Sequence, residues 1–508
     1  MSNTKIRLAF AMLILAGIIG CVQTQKTLAP IHSPSAKDWV GLALTAMGGE
    51  EKLRHLQSLC LYAKGHQKIL AQPDLVEGPW TTLYQEITEW RDLKKQRWRR
   101  DVNEWGFITT SIVADSVAAL RQFNQAFSPD PALRGADEWL VIGAESILLY
   151  ALDASDLRLE LETSLSNIPH IKIGFTWRGF PVAVFLHRYT HLPTTIEITR
   201  PYGYGHDLFE IWGEVTTKIV YSKWLLRSDG ISYPMQMNIS HQGWPVSSYN
   251  FLNVELNAPM PDSLFAMPDY VKAAYRARLT AEKKNMLART PLEIAPGIVQ
   301  MSGEINAIII RQDEGLVILE APLSPPEYVS SFTMIMEEAR QRFPGVPLQA
   351  VITTAYAWNY IGGVRDYVAA GIPIYVLDLY QPLLQRLFAA WHQMPTDSSS
   401  RQMSARILRT VSAKTSIGMG RNRIELYPTR SISERLVVYF PEHNLLYASD
   451  LAIRDITAPL KRGAVSQFLP DLINAVKREK LDVARAFSLH MPPFDWPVLV
   501  RAMTPMAN

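Results

Sequence analysis

The chain has 508 residues, of which 48% are hydrophobic and 19% charged, and its formal net charge is +3. That length implies two or three domains, and the balance excludes a disordered or low-complexity chain and gives no global case for nucleic acid. Two cysteines, Cys21 and Cys60, are too few for a disulfide scaffold.

The first residues read as a targeting segment. Lys5 and Arg7 precede an apolar run from Leu8 to Gly20, which ends at Cys21. The run is too short for a permanent membrane span. Ile18-Ile19-Gly20-Cys21 resembles the signal of bacterial lipoproteins. The resemblance implies cleavage before Cys21 and acylation of its sulfur and new amino group, palmitate being one such chain. More than one acyl chain gives stable anchoring. Val22 in place of Asp implies the outer membrane, on its periplasmic side. Residues 22–37, with Pro30 and Pro34, read as a tether.

Lys37–Leu59 has helical periodicity, with Trp39, Leu42, Ala43 and Met47 on one stripe and a stop at Gly48-Gly49. Strand signals follow from Cys60 to about Leu256. Ile171–Trp177, Thr195–Thr199, Glu214–Tyr221, Met235–Ile239 and Ser247–Leu252 are short, β-branched or aromatic, and bounded by turn residues. Arg178-Gly179, Ser228-Asp229-Gly230 and Gln242-Gly243 read as turns. Trp139–Ala151 is apolar but is interrupted by Glu145. Lys94–Arg100 (KKQRWRR) reads as a solvated strand face or, alternatively, as a contact for anionic headgroups. His187 and His191 lack a third ligand and read as structural or surface residues.

Leu192-Pro193-Thr194-Thr195, Tyr221-Ser222-Lys223-Trp224, Gly230-Ile231-Ser232-Tyr233-Pro234 and Leu256-Asn257-Ala258-Pro259 follow one another in an order that resembles periplasmic lipoprotein-carrier half-barrels. The resemblance implies a curved antiparallel sheet over residues 38–270, cupping an apolar cavity. A filled core with no cavity is the competing reading.

Residues 271–290 read as a connector. Beyond it, Gly297–Met301, Ala307–Arg311 and Leu316–Leu319 read as strands, and Val329, Phe332, Ile335, Met336 and Ala339 form a helical stripe. Leu348–Ile352 reads as a buried strand, Pro373–Leu377 as another, and a helix opened by Pro382 buries Leu383, Leu384, Leu387, Phe388 and Trp391. This alternation indicates an α/β layered domain over residues 291–500.

Between Ile352 and the next helix lies Thr353–Gly363, reading TTAYAWNYIGG. Together with Glu320-Ala321-Pro322, Pro441–Asp450 and Leu489-His490-Met491-Pro492, it resembles the metallo-β-lactamase-fold hydrolases. The resemblance implies an αββα sandwich whose loop supplies His-x-His-x-Asp-His to two zinc ions. Ala355, Ala357, Asn359 and Tyr360 occupy those positions here. Only Asp450 and His490 match the bridging and final ligands, and Ile424–Val437 lacks the intermediate His. Two ligands of about seven argue against zinc, and no other cofactor is expected. An oxygen site for a harder cation from Asp378, Glu320, Glu434 and Asp450 remains an alternative.

Ser449, Asp450 and His490 lack a nucleophile elbow, and Gly418-Met419-Gly420 lacks a phosphate-loop ending. Thr396–Gln402 reads as a loop near the site mouth. The expected protein is a lipid-anchored envelope protein whose partners are the membrane and either an envelope protein or a small apolar ligand. That ligand would sit in a cleft of Tyr356, Trp358 and Glu320. Aromatics that plug a vacated cavity are the competing reading. A hydrolase with an altered metal site, and a lipid or lipoprotein carrier working through the half-barrel, are the alternatives.

Overall fold

The computed structural model describes residues 34–70, 78–123, 125–130, 140, 142–201, 214–280, 290–301, 306–322, 330–390, 407–431, 434–449, 451 and 468–503. Cys21, Trp391, Asp450 and Thr396–Gln402 lie outside the described residues. For Trp358 and Asn359 only the backbone is described.

The helix Ala36–Met47 opens on a capping box: the Asp38 amide donates to Ser35 Oγ at 3.2 Å and the Ser35 amide to Asp38 Oδ2 at 2.7 Å. It stops at Gly48, where φ is 120° and a Cβ would lie 2.5 Å from the Gly230 carbonyl oxygen. A short helix, Glu50–Arg54, follows. The helical pattern expected as far as Leu59 gives way earlier, because Ser58–Ile69 is a strand hydrogen-bonded on both sides. Leu59, Leu61 and Ala63 alternate inward along it.

That strand is the middle of a 14-stranded sheet in which all pairings are antiparallel. On one side the order is Thr81–Asp92, Arg97–Glu104, Phe107–Ala114, Val117–Gln122 and Ser128–Pro129. On the other it is Trp244–Leu256, Ser232–His241, Glu214–Leu226, Pro193–Pro201, Phe180–His187 and Ile168–Trp177, with Arg158–Leu159 and Thr163–Leu165 both pairing with the last. On each side of the long-range pair Ser58–Ile69 and Trp244–Leu256, neighbours are mostly consecutive in sequence, and two-residue turns such as Arg178-Gly179 and Gln242-Gly243 take the left-handed φ that a twisted hairpin needs. One face packs Ile173, Phe175, Val184, Ile198 and Ile219 against the Ala36–Met47 and Ile147–Asp153 helices.

The basic run is solvated only at Lys94, Lys95 and Gln96, and its second half is not. Arg97 is 8% exposed and pairs with Asp92 and Asp262, Arg99 pairs with Asp101, and Arg100 pairs with Glu89. Asp262 arrives from the segment after the last strand, which also packs Phe265, Val271 and Tyr275 on Trp98 and Ile112.

The C-terminal half holds two further sheets. The first runs Leu292–Ala295, Ile298–Met301, Ala307–Arg311, Leu316–Leu319, Leu348–Ile352, Ile374–Leu377, Leu408–Val411; its pairings are antiparallel up to Leu316–Leu319 and parallel beyond. Leu316–Leu319 is buried throughout, as a strand covered on both faces must be. The helix Ser331–Arg342 is the crossover between the first parallel pair. The second sheet is Thr415–Ile417, Ile424–Pro428, Leu436–Phe440, Leu445–Tyr447, Arg485–Phe487 and Phe494–Asp495.

Strand alternation sets the layers. Leu436, Val438 and Phe440 join the core shared with the first sheet, whereas Val437 and Tyr439 face the helices Phe468–Arg478 and Trp496–Met503. Helices Val364–Ala369 and Gln381–Ala389 join the shared core with Ser331–Arg342. Leu70 and Val215 of the large sheet enter that core too, so the two halves are packed together. Among the described residues no helix is long and apolar enough to cross a membrane.

Candidate functional site

The Thr353–Gly363 loop starts at the end of the Leu348–Ile352 strand and contains the short helix Trp358–Ile361. It is bound to the neighbouring strand end by main-chain hydrogen bonds: Ala321 N donates to Tyr360 O and Gly363 N to Ala321 O, both at 2.8 Å. A Cβ at Gly363 would lie 2.7 Å from the Pro322 carbonyl oxygen, so only glycine permits this approach.

The side chains of the loop turn inward. Ala355, Tyr356, Ala357 and Tyr360 are 3%, 6%, 5% and 1% exposed, and all four belong to the core shared by the two sheets. The Tyr356 ring meets Tyr380 edge-on at 5.4 Å, and the Tyr380 hydroxyl donates to the Glu434 carbonyl oxygen. The Arg435 guanidinium lies over the Phe468 ring at 4.8 Å and donates to the Tyr360 hydroxyl at 3.5 Å.

Beneath the loop, Glu320 has no exposed surface. Thr354 donates to it twice, from its hydroxyl at 2.5 Å and its amide at 3.1 Å, and the same hydroxyl is 2.8 Å from Ser449 Oγ. Glu320 and Ser449 have φ of 70° and 45°, a conformation that non-glycine residues seldom adopt. Burial pushes the Glu320 carboxyl up to about 8, against the opposing effect of the Thr354 hydrogen bonds. At neutral pH Glu320 is therefore largely a neutral acid.

The other acidic candidates do not join it. Asp378 is exposed and accepts from the Leu379 amide. Glu434 accepts the amides of Arg430 and Ser431 at 2.9 and 2.8 Å. His490 is exposed on a turn that Gln300 holds by donating to the carbonyls of Ser488 and Met491. Among the described residues no group of three or more His, Cys, Asp and Glu is placed to hold a metal ion. The donor set itself does not fit zinc: alanine offers no ligand, Tyr360 is buried with its hydroxyl against a guanidinium, and that cation would repel a metal. Tyr356 is packed in the core, and it and Glu320 do not line an open cleft.

At the opposite end of the sandwich, an open depression of about 420 Å³ is lined by Asp313, Met419, Gly420, Arg421, Arg423, Pro441 and Glu442. The amides of Met419, Arg421 and Asn422 are already bonded to Glu314, Asp313 and Glu442. This loop therefore does not offer a phosphate cradle. His443 is engaged there with Asn422 at 2.6 Å.

Sequence reasoning missed a buried ionic network inside the large sheet. Arg91 donates to Glu89 at 2.6 Å and to Glu145 at 2.8 Å, Arg100 donates to Glu89 at 2.7 Å, and the Tyr233 hydroxyl donates to Glu145 at 3.0 Å. Burial alone would raise the Glu89 pKa, but Arg100 and Arg91 outweigh it and the net shift is downward. Burial likewise opposes charge on Arg91, yet Glu89 and Glu145 hold it well above its ordinary value. The signal was Glu145, a charge placed inside an apolar run. Beside the network a space of about 10 Å³ remains, lined by Leu61, Ala63, Ile87, Met237, Tyr249 and Phe251 among others. That is about the room of one water molecule and far from that of an acyl chain.

No family model matches the chain, and no curated protein does. Among solved structures, similar ones include a metallo-β-lactamase from Pontibacter korlensis at 15% identity and TM-score 0.31, covering 43% of this chain and 99% of that one. The DIM-1 metallo-β-lactamase is similar at 14% identity and TM-score 0.31, over 43% of this chain and 98% of that one. A DUF1329 family protein from Desulfovibrio piger is similar at 11% identity and TM-score 0.31, over 46% of this chain and 98% of that one. Likeness at this level covers part of the chain and assigns it to no family.

Proposed function

We propose that this chain is an envelope lipoprotein, anchored through acylated Cys21 to the outer membrane and facing the periplasm, that binds or scaffolds another envelope component without hydrolysing it. Its N-terminal half is a lipoprotein-carrier-like half-barrel, and its C-terminal half a metallo-β-lactamase-like αββα sandwich with a degenerate site. One observation supports the loss of hydrolysis above the rest. Where zinc ligands would stand, Ala355, Ala357 and Tyr360 are buried in a continuous core over a neutral Glu320. Such a site can neither polarise a carbonyl nor lower the pKa of a bound water to about 7. Binding is therefore assigned to outer surfaces rather than to the old site.

Elemental analysis of the full chain, purified without chelator, tests the central claim, with Asp450→Ala and His490→Ala measured beside it. The expected result is no stoichiometric zinc in any of the three. Stoichiometric zinc in the parent chain, lost in either variant, would overturn the reading in favour of a hydrolase with an altered metal set. Incorporation of labelled palmitate, abolished in Cys21→Ser, tests the anchor separately.

A further inference from the structure

At one end of the large sheet, the hairpin of Arg97–Glu104 and Phe107–Ala114 carries an exposed apolar tip. Trp105 and Gly106 form its two-residue turn, with φ of 55° and 86°. Trp105 is 81% exposed, Phe107 58% and Ile108 48%. Strand register brings two more aromatics to the same end. Glu86 opposes Asn103, which sets Tyr84 beside the turn, and Gln122 opposes Thr109, which sets Phe123 beside Phe107. The Phe107 and Phe123 rings meet edge-on at 5.2 Å.

Local folding does not account for this choice of residues. The first position of such a turn favours Asn, Asp or Gly, and a bulky residue at positive φ is disfavoured. A tryptophan here is conformationally costly and gains little burial in the chain itself. The nearest charges are already engaged: Glu104 accepts from Gln85, Lys64 pairs with Glu86, and Arg121 donates to Thr110 and lies over the Phe127 ring. From Trp105 to Ala114 the sequence carries no charge at all.

We infer that this tip, Trp105 to Ile108 with Tyr84 and Phe123, seats in the headgroup layer of a lipid bilayer. The inference rests on the anchoring proposed above. A two-residue turn with a handful of exposed side chains is small beside the roughly 800 Å² per partner of a stable protein interface. Its Trp and Tyr are residues that gather at membrane–water interfaces, and its Phe and Ile supply the apolar groups that sink about 5–10 Å there. The chain beyond the described residues fits the same occupant. The stretch between Cys21 and Pro34 reaches about 40 Å when extended, whereas the strand Arg97–Glu104 spans about 26 Å. An acylated Cys21 therefore keeps the sheet within reach of the bilayer that holds it.

The test uses the full chain with Cys60→Ser, labelled with an environment-sensitive fluorophore at Gln122→Cys beside the tip or at Ser228→Cys in a turn at the other end of the sheet. Vesicles of phosphatidylethanolamine and phosphatidylglycerol are added, and co-sedimentation is followed in parallel. A blue shift at residue 122 and none at 228 is expected, and Trp105→Ser with Phe107→Ser should cut that shift by about threefold or more. These positions are exposed, so circular dichroism should be unchanged. Co-sedimentation without a shift at residue 122, or a shift indifferent to the double substitution, overturns the inference and leaves the anchor standing. A Cys21→Ser chain that still sediments and still shifts shows that the tip holds the bilayer without the anchor and supports the inference. A shift that grows with protein concentration in the absence of vesicles places a second copy on the tip and overturns the lipid assignment.

Discussion

Glu320 concentrates the unusual chemistry of the loop in one side chain: no exposure, a left-handed backbone, and a carboxyl pushed up to about 8 by burial. In an unfolded chain a glutamate titrates near 4.3, so between about pH 4.3 and 8 the folded state holds a proton that the unfolded state has released. Stability from this group is therefore complete below the lower value and is lost as pH rises through the upper one, with a slope of up to about 1.4 kcal/mol per pH unit. Glu320→Gln has no proton to lose and retains an acceptor for the Thr354 amide. Its melting temperature should fall less than that of the parent between pH 6 and 9, and parallel profiles would refute the assignment. Glu320→Ala should cost about 1–3 kcal/mol at acid pH and less as the pH rises, because it strands the buried Thr354 amide.

At the scale of elements, burial on one strand is decided by partners far away in sequence. Removing Arg91 alone leaves Glu145 uncompensated in the sheet interior and Glu89 with Arg100 only. Arg91→Met should therefore destabilise by about 3–5 kcal/mol, and Arg91→Met with Glu145→Leu should recover part of that loss, as measured by urea unfolding. A double variant no better than the single one would show that packing, not charge, governs the site. Such remote pairing also explains what could be read beforehand. Leu316–Leu319 was legible because a strand covered on both faces writes its burial into a continuous apolar run, and Leu348–Ile352 through its buried end, Ala350 to Ile352. The end of the first helix was not, since Leu56, Leu59 and Ala63 suit a helical spacing as well as the start of a strand, and only the two flanking strands decide between them. The basic run at Lys94–Arg100 looked solvated because Asp262 lies far along the chain. In the loop, the loss of ligand residue types was visible in Ala355 and Ala357. The inward packing of Tyr356 and Tyr360 was not, because it depends on Tyr380 and Arg435.

At the scale of the molecule, the two halves meet through a few aromatic and apolar groups. Trp80 and Trp244 lie 5.6 Å apart at the end of the large sheet, and the Arg386 guanidinium sits over Trp244 at 5.4 Å. Arg386 belongs to the Gln381–Ala389 helix, which begins directly after Tyr380, the residue packed on the Tyr356 ring of the loop. Leu70 and Val215 complete the contact by entering the C-terminal core itself. Because this contact is apolar and shared, unfolding one half exposes surface belonging to the other, and the expected outcome in calorimetry is a single transition. Trp244→Ala removes both the ring pair and the cation–π contact of a partly buried side chain, at a cost of about 1–3 kcal/mol. That loss falls on the coupling rather than on either core, so the transition should split in two, with the less stable half melting first. If the variant instead melts in one transition at a lower temperature, the halves are coupled mainly through Leu70 and Val215, and Val215→Ala becomes the substitution that separates them.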